Sequence, residues 1–226
     1  MTKRILDLFC GAGGMSTGFR REYPNAYIVG VDIELQPHYT AGVFVQMDAL
    51  EYLDGCAAVG GGGFDYIHAS PPCQGYSWAA AGARNRGREW PDLVAPVRDR
   101  LIKLGIPWTI ENVIGSPLID PITLCGETFG LNVIRHRLFE SSEPLTQPKH
   151  QRHLPPIWRP AMTGPPRLVK RTQYCSVAGH GGDSNSFKLR DWVDAMGWPS
   201  NMPITRQELC ESIPPAYAAW LIKEVI

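Results

Sequence analysis

Ala69–Ser77 reads ASPPCQGYS and places a cysteine directly after two prolines. Pro71 and Pro72 hold φ at about −65° and remove two backbone donors, so the chain leaves the preceding apolar run, Phe64–His68, in one rigid direction. A lone cysteine is more often a small buried hydrophobe than a nucleophile. The position of Cys73 at the end of a strand-like run points instead to a presented thiol. A second apolar run, PWTIENV at 107–113, delivers a carboxyl group, Glu111. A cysteine hydrolase would want a histidine base beside the thiol, and His68 lies on the strand before the turn, where it reads as core. Thiol and carboxyl together suit a different chemistry: sulfur adds to an unsaturated ring carbon while the carboxyl protonates, or hydrogen-bonds to, a ring nitrogen.

The third constellation is DLFCGAGGMSTGF, Asp7 to Phe19. Glycines after a first strand let the backbone approach a ligand, and a helix N-terminus follows. A dinucleotide fingerprint wants a third glycine where Ser16 stands. Asp32 closes the second strand and suits ribose hydroxyls, while Asp48, at the end of the third, suits an adenine amine. Such a glycine turn fits an adenosine cofactor, with a purely structural tight turn as the alternative.

These groups must be carried by strands that end at one edge of a sheet. RILDLF (4–9), AYIVGVDI (26–33), FVQMDA (44–49), FDYIHAS (64–70) and PWTIENV (107–113) read as five strands. Helical segments separate them, the clearest being PDLVAPVRDRLIKLG (91–105), which Pro96 would kink or shorten. That alternation predicts an α/β fold: a Rossmann-like, mostly parallel sheet with helices on both faces and ligands at the carboxyl ends of the strands. After residue 115 the periodicity fades. Residues 141–166, rich in Pro, His and Arg, read as loop or a small irregular lobe, and helical spacing returns around Pro214 and Pro215.

Composition sets the limits. The 226 residues contain 44% hydrophobic and 19% charged residues, with 22 Lys+Arg against 22 Asp+Glu. This balance argues against a wholly basic nucleic-acid binder. Arg135 to Arg190, however, holds ten basic residues and three acids, as expected of a phosphate-facing surface or a solvated basic face. No run approaches a membrane span, and MTKRILDLF does not read as a signal peptide, so a cytoplasmic protein is expected. The six cysteines form no CxxC pair and match no Cys/His zinc spacing, so no metal is expected.

Taken in order, these motifs resemble those of the DNA (cytosine-5) methyltransferase family. DLFCGAGGMSTGF resembles its first motif, SPPCQGYS the catalytic Pro-Cys motif and ENV the catalytic glutamate motif. RHRLFE (135–140) resembles the arginine motif of the base pocket, and ESIPPAYA (211–218) the last motif, which folds back beside the cofactor. The resemblance implies a class I fold, with a catalytic domain from 1–140 and 196–226 and a small target-recognition region at 141–195, short for the family. It implies S-adenosylmethionine as cofactor and duplex DNA as partner, with the chain acting as a monomer. Cys73, Pro72, Glu111 and Arg137 would be catalytic. Phe9, Gly11, Gly13, Gly14, Asp32, Ile33, Asp48, Ala49, Pro71 and Ser212 would contact the cofactor. Glu211 stands where the family usually has an asparagine, and Ser212 is expected to supply a hydroxyl instead. Ser77, Arg84, Arg86, Arg88 and Arg135 would contact DNA, the three middle arginines on a catalytic loop with Trp78 and Trp90. Restriction–modification and phage protection both fit such a short member. A tRNA methyltransferase, a non-catalytic cofactor-dependent nucleic-acid-binding module and a cysteine hydrolase remain as alternatives.

Overall fold

The structure is a computed structural model that describes residues 2–77, 82, 85–150, 153, 174, 175, 177 and 187–226. Seven strands form one sheet in the order β3-β2-β1-β4-β5-β7-β6. They are β1 (Arg4–Leu8), β2 (Tyr27–Asp32), β3 (Val43–Gln46), β4 (Tyr66–Ala69), β5 (Trp108–Asn112), β6 (Ile122–Leu124) and β7 (Arg137–Ser141). The first five are parallel, and β7 runs antiparallel to both β5 and β6.

The period-two alternation of a strand buried on both faces is plain in β1 and β2. Ile5 and Ile28 are register partners that face one core, while Leu6 with Val29 and Leu8 with Val31 face the other. Helices α1 (Gly14–Glu22) and α6 (Pro215–Val225) cover the first face through Phe19, Tyr217 and Leu221. Helices α2 (Ala49–Ala58) and α3 (Val94–Leu104) cover the second through Leu53, Val97 and Leu101. A third cluster joins α4 (Leu189–Met196) and α5 (Arg206–Glu211) around Trp192, Met196 and Leu209.

The expected strands and the doubly covered sheet are present, with local shifts. Pro96 falls in the first turn of α3, where its missing N–H costs nothing, so the helix begins at Val94 and ends at a left-handed Gly105. Asp48 does not lie on β3. Its carboxylate caps α2 by accepting the Leu50 and Glu51 amides, which pulls the strand's end back to Gln46. β6 and β7, in the stretch where periodicity fades, extend the sheet beyond the five expected strands. Among the described residues no helix is long and apolar enough to cross a membrane.

Candidate active site

β1, β4 and β5 end side by side, and their carboxyl ends carry the glycine turn, the Pro-Cys turn and the Glu-Asn pair. The Pro-Cys turn is held from both neighbouring strands. The Ser70 amide donates to the Leu8 carbonyl at 3.1 Å, and the buried Asn112 side chain donates to the Pro71 carbonyl at 2.9 Å. Beyond Cys73 the chain folds into a turn in which the Ser77 amide donates to the Cys73 carbonyl at 2.8 Å. Pro71 is buried, while Pro72, Cys73 and Ser77 are half-buried. The thiol is therefore partly presented on a pinned backbone.

Glu111 is buried on β5, only 5% exposed. Arg137, opening β7 on the adjacent strand, brings Nε to 3.0 Å from Glu111 Oε1. That contact lies off the N–H axis, so Oε1 remains buried without a well-directed hydrogen bond. Burial pushes the Glu111 carboxyl above the usual carboxylate range, against the pull of Arg137 and Arg135 and a hydrogen bond from Ser70. Cys73 is also pushed up, first by burial and then by the charge of Glu111, with Arg137 opposing. Thiol, carboxyl and guanidinium thus form one electrically coupled group at the strand ends.

His68 takes no part in it. It is fully buried, and its ring nitrogens pair with Thr109 Oγ1 at 2.8 Å and Ser70 Oγ at 2.9 Å. Burial lowers its pKa to about 3, which keeps it neutral. Both nitrogens are engaged away from Cys73, which removes His68 as the base that a cysteine hydrolase would need.

The glycine turn stands next to this group. Phe9 adopts a left-handed φ of 57°, a strained conformation of the kind that clusters at ligand sites. Gly11, at φ 49°, has open space where a Cβ would stand. Its amide donates to Asp32 Oδ2 at 2.9 Å, and Asp32 Oδ1 accepts from the Glu34 amide at 3.0 Å. Beside Asp32, Ile33 is 62% exposed, an apolar face at the strand ends. Ala49 is buried behind the Asp48 cap. Gly13 takes a left-handed φ of 89° at the cap of α1. Gly14 has a packing reason: an added Cβ would meet the Ile213 carbonyl at 2.4 Å. The last motif therefore lies directly against α1. Ser212 is buried there, its hydroxyl donating to the Glu208 carbonyl at 2.7 Å.

Arg135, expected at the DNA surface, is buried. Its guanidinium donates to the Val177 carbonyl at 3.0 Å and to the Cys210 carbonyl, and the Tyr217 hydroxyl donates to the Arg135 carbonyl at 2.6 Å. Burial, with Arg137 nearby, lowers its pKa to about 9. These bonds tie β7 to the last motif. Arg86 and Arg88 are exposed, and Arg88 lies over the Trp90 ring at 5.0 Å. Arg84 and Trp78 lie outside the described residues. Asn112 was not singled out from the sequence; its place directly after Glu111 was the available signal. The structure lends no support to the expectation of no metal. Cys125, His136, His150 and His153 bring ligand atoms within 4.8 Å of one another: the β6–β7 pairing sets Cys125 near His136, and the chain after β7 brings His150 and His153 to them.

Strand order and site together define a Rossmann-like methyltransferase fold. Over 99% of this chain and 98% of the other, it superposes on the Entamoeba histolytica methyltransferase EhMeth with TM-score 0.60 at 15% identity. A human methyltransferase-like protein 13, solved in complex with SAH, matches over 65% of this chain and 75% of its own, with TM-score 0.39 at 13% identity. No curated protein sequence matches the chain. Residues 3–103, a little under half of the chain, match the family model for C-5 cytosine-specific DNA methylase. The match includes the glycine turn and Cys73, and stops short of Glu111 and Arg137.

Proposed function

We propose that the chain transfers a methyl group from S-adenosylmethionine to carbon 5 of cytosine in duplex DNA. The observation that carries this is the buried Glu111 carboxyl, with an oxygen left without a directed partner, coupled to Cys73 and touched by Arg137. The residues around the glycine turn fit the cofactor. Gly11 leaves open space, Phe9 is held in a strained φ, and Ile33 offers an exposed apolar face beside Asp32. S-adenosylmethionine, bound there, supplies an electrophilic methyl group.

Cytosine carbon 5 is a poor nucleophile. Addition of the Cys73 thiolate to carbon 6 forms a C–S bond and moves the ring electrons toward carbon 5. Glu111, protonated or sharing a proton with ring nitrogen 3, stabilises the charge that develops there. Its raised pKa favours the protonated form, which also removes the charge that opposes Cys73 ionisation. Arg137 orients Glu111 and lowers the cost of the thiolate. After the methyl group is in place, carbon 5 loses its proton and the C–S bond breaks, restoring both aromaticity and Cys73. A duplex hides this carbon, so the cytosine must be flipped out at a cost of a few kcal/mol. The two prolines and the Asn112 clamp hold sulfur within reach of the flipped ring, where a small misplacement is expensive. Arg86 and Arg88, exposed beyond the thiol turn, suit phosphate contacts.

The test is transfer of labelled methyl from S-adenosylmethionine to unmethylated duplex DNA, with tRNA in parallel and Cys73→Ser as control. Nucleoside mass spectrometry should find 5-methylcytosine in DNA, lost in the variant. Label in tRNA alone would move the substrate to RNA. Cofactor binding without transfer to either would overturn the catalytic assignment.

A further inference from the structure

Four ligand atoms converge where the chain enters β7. Leu124 and Arg137 are register partners in the antiparallel β6–β7 pair. The next residues outward, Cys125 and His136, therefore stand opposite each other beyond the end of that pair. The chain after β7 returns with His150 and His153 to the same point. The His153 Nε2 atom lies 3.6 Å from Cys125 Sγ and 3.1 Å from His136 Nε2, and His136 Nε2 lies 3.2 Å from His150 Nε2.

Three imidazole nitrogens and a sulfur at these separations cannot all satisfy one another as donor and acceptor. Around a cation they can. Tetrahedral zinc with Zn–N of about 2.0–2.1 Å and Zn–S of about 2.3 Å places nitrogens about 3.3 Å apart and nitrogen and sulfur about 3.6 Å apart. A carboxylate stands behind the cluster: Glu127 Oε2 lies 2.6 Å from His153 Nδ1, and the Tyr174 hydroxyl donates to Glu127 Oε1. The contact lies off the hydrogen-bond axis, and a small rotation of the ring would let Nδ1–H donate to that carboxylate and turn the Nε2 lone pair to the cluster, the arrangement that orients a metal-binding histidine. Cys125 is buried, His136 and His153 are half-buried, and His150 is exposed, which gives an ion a way in.

We propose that Cys125, His136, His150 and His153 form a closed, tetrahedral zinc site that staples the start of the 141–195 region to the β6–β7 pair beside Arg137. Four protein ligands leave no open position, so the ion is structural rather than catalytic. His136 immediately precedes Arg137, whose guanidinium donates back to the His136 carbonyl at 2.9 Å. Fixing the His136 ring thus steadies the backbone from which Arg137 reaches Glu111. The four residues are spread as C-x10-H-x13-H-x2-H, a spacing made compact by the strand pairing together with the return of the chain after β7.

The test is metal content of the purified full chain by elemental analysis, then exchange with cobalt. One zinc per chain is expected. Cobalt loading should give the intense visible bands of four-coordinate cobalt and a thiolate-to-cobalt charge-transfer band in the near ultraviolet. His150→Ala, at the exposed ligand, should weaken zinc affinity without unfolding the chain. Cys125→Ser should abolish the charge-transfer band, and Glu127→Gln should weaken zinc by about 10–100-fold. No bound zinc and no cobalt bands would overturn the proposal, as would zinc content and affinity unchanged in His150→Ala/His153→Ala. These readouts do not depend on methyl transfer, so the zinc site and the catalytic assignment fail separately.

Discussion

Asn112→Ala isolates the clamp that places the thiol. In the native chain the Asn112 amide donates to the Pro71 carbonyl at 2.9 Å, and its oxygen accepts the Val113 amide at 2.9 Å. Truncation leaves the Pro71 carbonyl buried without a donor, at a cost of about 1–3 kcal/mol, and orphans a part-buried amide at less. The expected loss of stability is about 2–4 kcal/mol. For a chain of this length each kcal/mol lowers Tm by about 2–4 °C, so the midpoint should fall by roughly 5–15 °C. The sulfur is only two residues from the released carbonyl, and a displacement of order 1 Å at a reacting atom costs about 100-fold in rate. Single-turnover methyl transfer, normalised to folded protein well below the midpoint, should therefore fall by about two orders of magnitude. Cofactor affinity, set mainly on the β1 and β2 edge with Pro71 as the one contact near the clamp, should change far less than the rate. Asn112→Asp keeps an acceptor for Val113 but loses the donor to Pro71, so it should be slowed as well. A variant with the lowered Tm and the wild-type single-turnover rate would refute a positioning role, leaving the bond as part of the fold alone.

Two further outcomes test the frame around the site. Gly18→Val should destabilise the chain by about 3 kcal/mol or more in urea unfolding. A Cβ there would stand 2.1 Å from the Pro215 carbonyl oxygen and 2.5 Å from the Ala218 Cβ, and a near-native midpoint would refute that close approach. Asp7→Asn tests the buried carboxyl that accepts the Ser16 amide at 3.0 Å. Burial pushes Asp7 up to about 7 from 3.8, so the folded state keeps a proton that the unfolded state gives up between those values. Stability contributed by Asp7 is complete below about pH 4, falls as pH rises to about 7, and then levels off. The asparagine variant should gain on wild type across that window, by at most about 1.4 kcal/mol per pH unit. Parallel pH profiles would refute the shift.

The sheet and the thiol were legible because their determinants are local. Alternating apolar residues with glycine and proline punctuation define β1, β2, β4 and β5, and two prolines before Cys73 fix a direction without help from the rest of the chain. Features that depend on distant partners were hidden. Arg135 has the same neighbours in sequence as an exposed arginine would, and only the Val177 and Cys210 carbonyls make it internal. Asp48 looks like the end of a strand until the amides of Leu50 and Glu51 claim it as a cap. β6 is three residues long, too short for a periodic signal. The Cys125–His136–His150–His153 group is invisible to any spacing rule because the antiparallel pair sets Cys125 beside His136 and the return of the chain after β7 adds His150 and His153.

Gly14 and Gly18 press α1 against the backbone of Ile213 and Pro215, across roughly 200 positions of intervening chain. The glycine turn is therefore written early and finished late. During synthesis the strand that bears it can form long before the residues that brace its helix exist, and closing so long a loop is slow. A nascent chain halted between Glu111 and Ile213 would already carry the thiol and the glutamate but lack the brace behind the glycine turn. Order of synthesis thus separates the two halves of the glycine turn's support: the strand and thiol come first, and the residues packed behind α1 come last.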